Sequence, residues 1–460
     1  MSKAEMQGVA GITADSRAVR PGYLFAALPG TKVDGRRFIG EAVARGAIAV
    51  LAPEGTHWPP GVPPRRLITV PDPRAKLAEL AVEFFGRLPE RLVAVTGTNG
   101  KTSTVDFLRQ IFTLAGRKAA SIGTLGMVAP GHGPSDSLTT PDPVTLARTL
   151  AGLAQEDVTD VAMEASSHGL DQHRLDGLRF AAAGFTNFTR DHLDYHDSMA
   201  AYGAAKLRLF EALMKRGGAV RVMADLSPDI LTRLREIASA NGQDFEAVTI
   251  EQVLPRPDGQ VLHINGEAFE LHLPGRFQAD NAALAASLAE AVGVLDAYAF
   301  LPYLLGVRGR LERVSVLPNG AAAYVDYAHT PDAITRVLSA LRPHASQRLH
   351  IVLGAGGDRD PGKRPLMGVA ARLGADVVIV TDDNPRSEEP ARIRQAIMEA
   401  VPGAVEIGDR RAAIAAALEG LREGDVLVVA GKGHEQGQIV KGEVIPFDDA
   451  TVIRELSNTP

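Results

Sequence analysis

Residues 92–104 read LVAVTGTNGKTST, and no other stretch limits the fold so closely. A short apolar β run enters a glycine-containing loop, and Lys101 and Thr102 then open a helix-compatible segment that continues from Val105 to Leu114. This is the layout of a phosphate cradle: loop N–H groups and a helix N-terminus face an anion, Lys101 adds charge, and Thr102 offers a hydroxyl to Mg2+. The generic pattern Gly-x-x-x-x-Gly-Lys-Ser/Thr is not fully met, because Val95 stands where the first glycine belongs. The pattern alone favours a phosphate loop over an ordinary strand–turn–helix and leaves open what the phosphate is for, a kinase or GTPase included.

The strand–loop–helix order recurs along the chain. Between about 87 and 308 the strand candidates are 92–96, 158–163, 180–186, 219–224 and 247–250, separated by helical stretches at 142–154, 198–214, 228–240 and 279–292. Such alternation predicts a mainly parallel sheet covered by helices, with ligands at the C-terminal strand ends. Residues 260–273 predict a hairpin appended to that sheet. From Gly309 the order restarts, with strands at 322–326, 349–353, 377–381 and 426–430 and helices at 331–342, 364–373 and 390–400. The first 86 residues suggest a strand at 23–28, a helix over 38–46, a strand over 47–52 and a helix over 74–85. The expected fold class is α/β in three domains, 1–86, 87–308 and 309–460, which suits a chain of 460 residues. The central domain reads as a P-loop ATPase-like sheet and the last as a Rossmann-like one.

Composition removes several classes of function. A formal charge of −6 argues against a broad nucleic-acid surface. With no cysteine, disulfides, thiolate metal sites and Cys nucleophiles are excluded. The N-terminus has no apolar signal region and no run of roughly eighteen apolar residues occurs, so a cytoplasmic protein without membrane insertion is expected.

Chemistry-bearing residues gather after strands. Glu164 ends an apolar strand, a position suited to a Mg2+ ligand beside phosphates, although alone it reads as an exposed strand-end carboxylate. Asp191, His192, Asp194 and His196 follow another strand, where a metal or proton-transfer role and a solvated loop compete evenly. In the last domain GAGGDRD (354–360), TDDNPR (381–386) and GKGHE (431–435) each follow a strand. Three strand ends with charged, glycine-containing loops imply one crevice for a ligand carrying both positive and negative groups.

In this order the runs resemble the Mur ligase family, in its MurE type, over essentially the whole chain. The markers are DSR at 15–17, TGTNGKT at 96–102, TTPD at 139–142, EASSHG at 164–169, DHLD at 191–194, GRLE at 309–312, DYAH at 326–329, GGDRDPGKRP at 356–365, DNPR at 383–386 and GKGHE at 431–435. The resemblance implies that ATP phosphorylates the free D-Glu carboxylate of UDP-N-acetylmuramoyl-L-alanyl-D-glutamate. The amine of a diamino acid then attacks the acyl phosphate and leaves an amide, a step of peptidoglycan precursor synthesis. A carboxylate is a poor acyl donor until one oxygen becomes a phosphate leaving group, so such a protein works mostly by positioning and charge neutralisation.

Carried over motif by motif, Gly97, Thr98, Asn99, Gly100, Lys101, Thr102 and Ser103 hold the ATP phosphates, with Thr102 on a first Mg2+. Glu164 and His192 match ligands of a second Mg2+, and Lys206 matches a lysine that CO2 carbamylates, turning a cation into a carboxylate-like anion. Without the family Lys206 would read as an exposed helical lysine. The implied catalytic set is Lys101, Thr102, Glu164, His192 and Lys206, and Asn281, Arg310, Asp326 and His329 match positions near the nucleotide. Ser16, Thr31, Lys32 and Val33 match the uridine-diphosphate end of the sugar substrate, and Thr139, Thr140, Ser166, Gln172 and Arg174 its muramoyl dipeptide. Arg359, Asp383, Asn384, Pro385, Arg386, Gly431 and Glu435 match an amino-acid pocket. The three domains would thus bind UDP-muramoyl substrate, ATP and amino acid in chain order, in a monomer.

meso-Diaminopimelate differs from lysine by one carboxylate, and Arg386 is the bidentate complement that lysine-adding relatives lack. The expected acceptor is therefore meso-diaminopimelate. Leu138, Ser103 and Gln278 depart from the family's usual Asn, Thr and Asn, which bears on affinity and not on reaction class. The rival readings are a lysine-adding or folylpolyglutamate-type ligase, a P-loop small-molecule kinase, and a non-catalytic UDP-sugar binder.

Overall fold

The computed structural model describes residues 6–457 apart from 31–32, 134–137, 192–194 and 257–258. By internal packing the chain divides into two units, residues 1–249 with 283–297, and residues 250–282 with 298–460.

In the first unit the strand Arg91–Thr96 is central because its side chains are apolar on both faces. Leu92 to Val95 are at most 3% exposed, as in a parallel strand covered by helices on both sides. It lies between Asp160–Glu164 and Phe180–Phe185, parallel to both. The sheet order is Asp244–Val248, Met214–Met223, Phe180–Phe185, Arg91–Thr96, Asp160–Glu164, Ala119–Gly123 and Gly126–Val128, with only the last strand antiparallel. Register pairs Val95 with Glu164 and Thr96 with Phe185, so the loops after three adjacent strands leave from one edge.

The helices start where capping chemistry allows. Asp142 accepts from the N–H groups of Val144 and Thr145, with proline in the first turn of Pro143–Gln155. Leu146, Leu150 and Leu153, at helical spacing, then pack with Val161 and Met163. Fully burying such side chains contributes roughly 1.5–3 kcal/mol each. A separate parallel sheet of Gly11–Thr13, Tyr23–Ala26, Ala49–Pro53 and Arg66–Val70 forms the N-terminal part. Its helix Pro73–Phe85 shares a core with Pro143–Gln155 through Leu77, Leu80, Val144 and Ala147. The helix expected over 38–46 is a 3-10 turn at Gly35–Phe38 followed by Ile39–Ala44.

In the second unit the order is Glu312–Val316, Ala322–Asp326, Val426–Ala430, Leu349–Leu353, Val377–Val380 and Val405–Glu406, parallel except for the first strand. The hairpin expected as an appendage of the central sheet is instead a three-stranded antiparallel sheet of its own, Gln252–Arg256, Gly259–Ile264 and Glu267–Leu271. Consecutive segments joined by short turns complete one another's hydrogen-bond ladders locally, so the central sheet is not needed as a partner. A second unforeseen pair, Gly437–Val440 with Glu443–Pro446, follows the GKGHE run. No helix among the described residues is long and apolar enough to cross a membrane.

Candidate functional site

The loop after Arg91–Thr96 is shaped by two glycines, Gly97 at φ +143° and Gly100 at φ +84°. Gly100 caps the helix Lys101–Leu114 in the left-handed conformation and, as a glycine, supplies no side-chain cap to its first turn. Such an end suits an anion. The loop is held by the segment that follows the neighbouring strand Phe180–Phe185. Asn99 N–H donates to Asn187 Oδ1 at 2.9 Å, Asn187 Nδ2 donates back to Asn99 O at 3.1 Å, and Thr186 Oγ1 donates to the same carbonyl at 2.6 Å.

Lys101 Nζ donates to the carbonyls of Gly97 and Thr98 at 2.9 and 2.8 Å. Lys206 Nζ, 1% exposed as a residue, reaches the Gly97 carbonyl at 2.7 Å and lies 4.5 Å from the centre of the Tyr202 ring. Burial, then the charge of Lys101, pull the Lys206 pKa well below the usual lysine range. Thr102 and Ser103 are buried in the first turn. His192 lies outside the described residues, as do Thr31 and Lys32, while the neighbouring His196 is buried 5.3 Å from the Tyr202 ring. Among the described residues no group of three or more His, Asp or Glu could hold a metal ion.

Glu164 is buried, not exposed. Its carboxylate accepts from Thr124 N–H at 2.7 Å and from Thr124 Oγ1 at 3.2 Å, and a side chain on Gly123 would overlap it. Thr124 continues to Thr139 through a hydroxyl contact of 3.1 Å. Thr140 Oγ1 donates to the Glu164 carbonyl at 2.9 Å and lies 3.0 Å from Ser166 Oγ. Arg174 donates to the Thr140 carbonyl and to Gln172 Oε1, so the dipeptide positions inferred from sequence form one connected network with Glu164. A cleft of about 1320 Å³ in this unit is lined by Ser16, Leu138, Gln172 and Arg174, together with Arg74 and Arg148, for which the sequence offered no signal. Ser16 Oγ donates to Glu41 at 2.9 Å, and Val33 is exposed.

In the second unit the three charged loops leave one sheet edge. Asn384 Nδ2 donates to Glu435 Oε2 at 2.8 Å. Arg386 adopts φ +53° and donates from Nη1 to Gly357 O at 2.7 Å. Asp383 carboxylate lies against Gly431, where any side chain would collide with it. Arg359 is exposed and Pro385 buried. Lys432, fully buried, bonds Asn384 Oδ1 at 3.0 Å and Glu435 Oε2 at 3.1 Å, and so ties two of the loops together. Its role was hidden because a lysine in a glycine-rich run reads as solvated. Gln278, the departure at a usual asparagine, accepts from Asn281 at 3.3 Å and donates to the Arg310 carbonyl at 3.0 Å. The Arg310 guanidinium lies 4.7 Å from the Tyr327 ring, and His329 Nδ1 is 2.8 Å from the Tyr327 carbonyl. Both oxygens of Asp326 are occupied, by Leu311 N–H at 2.7 Å and Ala328 N–H at 2.8 Å, so this carboxylate organises its own loops.

Two groups of this unit, the buried Asp326 and the half-buried His434, have opposed effects on acid stability. Burial, then Arg310, lower the His434 pKa from 6.5 to about 4. Its stabilisation is complete above the unfolded value and is lost as pH falls towards the folded one. Burial raises Asp326 from 3.8 to about 6, against Arg310 and the two amides, so its contribution is present at low pH and lost as pH rises through about 6. On going from pH 7 to 5, His434 costs on the order of 2 kcal/mol and Asp326 returns on the order of 1. Denaturant unfolding at both pH values should therefore show a smaller loss of stability on acidification in His434→Gln than in the parent. A variant with the parent's slope would refute the assignment to His434.

Family models match along the chain: "Mur ligase family, catalytic domain" at residues 8–85, "Mur ligase middle domain" at 95–289, and "Mur ligase, glutamate ligase domain" at 309–433. The chain is similar to the UDP-N-acetylmuramoyl-L-alanyl-D-glutamate–2,6-diaminopimelate ligase of Caulobacter vibrioides, at 54% identity over 96% of this chain and 94% of that protein. The same-named ligase of Rhizobium meliloti is 50% identical over 97% and 94%. A solved structure of a ligase of that name superposes with TM-score 0.72 at 33% identity, covering 98% of this chain and 95% of that one. The Mycobacterium tuberculosis folylpolyglutamate synthase complexed with ADP and AMPPCP shares the fold alone, with TM-score 0.64 at 19% identity. With matches in all three domains and half or more of its residues shared with such relatives, the chain belongs to the Mur ligase family and is an ATP-dependent, amide-bond-forming enzyme.

Proposed function

We propose that the chain joins meso-diaminopimelate to UDP-N-acetylmuramoyl-L-alanyl-D-glutamate, through an acyl phosphate formed at the expense of ATP. The observation that carries this reading is the acceptor pocket of the second unit. Asp383, Asn384 and Glu435 offer acceptors for an ammonium group, and Arg386 a guanidinium for a carboxylate, on loops bonded to each other. A kinase would have no use for such a pocket. The named ligases it resembles share this acceptor, which supports diaminopimelate over lysine.

In the first unit Lys101 exchanges its bonds to two loop carbonyls for phosphate oxygens, and the first-turn amides receive the rest of the negative charge. The cleft lined by Ser16 and Arg174 takes the UDP-sugar peptide. Thr102 would offer its hydroxyl to a first Mg2+, and Glu164 with His192 would hold a second; bound there, the ions would screen phosphate charge and orient the reacting oxygens. Burial, and then the charge of Lys101, lower the Lys206 pKa, which favours the free amine whose Nζ would bond the carbon of CO2 and release a proton. The product is an anion in a place where the unmodified chain has two lysines. ATP and a UDP-linked sugar are cytoplasmic substrates, so this reading places a monomer there, with domains 1–86, 87–308 and 309–460.

ADP release measured with the UDP-muramoyl dipeptide, with and without meso-diaminopimelate or L-lysine, tests the reading. Release that needs diaminopimelate supports it. Release without an amine indicates a kinase, and no release a binding protein. Arg386→Ala should raise the KM for diaminopimelate about 10- to 100-fold, the worth of one charged hydrogen-bond pair, and leave that for ATP nearly unchanged. Equal effects on both would sink the acceptor assignment.

A further inference from the structure

The helix Arg410–Glu419 opens on a guanidinium shut away from solvent. The side chains of Arg410 and its partner Asp449 are both 0% exposed. Arg410 Nε and Nη2 donate to the two Asp449 oxygens at 2.7 Å each. The same guanidinium reaches two carbonyls: Nη2 donates to Ala430 O at 2.9 Å, and Nη1 to Asp382 O at 3.3 Å. These carbonyls stand immediately before Gly431 and Asp383, where loops 431–435 and 383–386 begin.

A buried ion pair is a poor device for stability alone, because desolvation offsets most of its attraction and an apolar pair of similar volume often does as well. An apolar pair cannot hold two carbonyls from different strand ends at a set separation. That separation matters here. Asn384 bonds across the two loops to Glu435 at 2.8 Å and to Lys432 at 3.0 Å, so a small shift of one loop would break the polar face offered to an amino acid. Burial works against the charge of Arg410, and Asp449 outweighs it, with Asp383 and Glu435 adding to the same effect.

We infer that Arg410, clamped by Asp449, is a positioning residue that sets the spacing of the two acceptor loops and with it the selection of the amino acid; this rests on reading those loops as the acceptor pocket. The residue touches no substrate in this role, and its effect falls on amino-acid binding. The test uses the full chain with Arg410→Met/Asp449→Leu, which replaces the pair by apolar volume, and Arg410→Lys, which keeps a cation for Asp449 but cannot span both carbonyls. The expected result for each is a KM for meso-diaminopimelate raised about tenfold or more, as for misplaced bonds to a charged ligand, with the KM for ATP and for the UDP-muramoyl dipeptide within about twofold. The double variant should also melt within a few degrees of the parent.

An unchanged amino-acid KM in either folded variant overturns the inference, as does a parallel rise of all three KM values. If the double variant does not fold, Arg410→Lys decides by the same ratio. Arg386→Ala in the same assay separates the two levels. If it leaves the amino-acid KM unchanged, the pocket reading itself is wrong. If it raises that KM and the Arg410 variants do not, only the positioning role fails.

Discussion

Gly97→Ala is expected to abolish measurable nucleotide use and to lower the melting temperature sharply. Gly97 sits at φ +143°, where L residues are strained, and a Cβ there would overlap Thr186 Oγ1 and approach the Asn187 N–H and carbonyl to 3.2 Å. The displaced hydroxyl is the one that bonds Asn99 O at 2.6 Å, so relief of the clash breaks the clamp on the loop 97–100. Strain and overpacking each cost about 1–3 kcal/mol, and a loop displaced by even an ångström loses on the order of 100-fold in rate. A cycle with Thr186→Ala makes the cause visible. The double variant should recover the steric part of the stability loss and none of the activity, because the backbone strain and the lost bond to Asn99 remain. A Gly97→Ala protein with the parent's melting temperature and KM for ATP would show that the loop is not held as described.

Lys206 should separate activity from stability. Its amine is buried at 1% exposure, with its pKa pulled down by burial and by Lys101, and its hydrogen bond to the Gly97 carbonyl is duplicated by Lys101 Nζ at 2.9 Å. Removing it leaves no orphaned acceptor. Lys206→Met, close in volume and apolar, should therefore stabilise the fold by about 1 kcal/mol, while kcat falls by roughly 100- to 1000-fold, as when one preorganised charge at a phosphate or oxyanion site is lost. Lys206→Ala tests what the lysine supplies. If the working form is a carbamate, formate or acetate entering the vacated space should restore part of the activity where chloride does not. If the unmodified cation is the working form, carboxylates will not rescue and a small alkylamine will. Intact activity in Lys206→Met would remove the residue from the mechanism altogether.

Much of this was legible in local pattern. The apolar run 92–95 with glycines at 97 and 100 required a buried strand turning into a helix, and the strand and loop are there. The charged runs at 354–360, 381–386 and 431–435 follow strands that are neighbours in one sheet, as their positions implied. The strand Ala119–Gly123 was not legible. Ala-Ala-Ser-Ile-Gly has little strand propensity, and only burial between other elements makes it one. With that strand unseen, Thr124 could not be recognised as the group that fixes the Glu164 carboxylate.

The sequence by itself determined the α/β class, the glycine loop between strand and helix, and the order of the motifs that mark the family. These depend on residue periodicity, on glycines where φ is positive, and on the identities within short runs, all of which are local. Tertiary structure alone decided which polar groups become part of the site. Lys206 meets the Gly97 carbonyl across 109 residues of chain, and Arg410 meets Asp449 across 39. Burial in each case changes an ordinary surface cation into one whose charge is set by its surroundings. That change depends on long-range register and on the exclusion of water, and neither is written in the spacing of the residues.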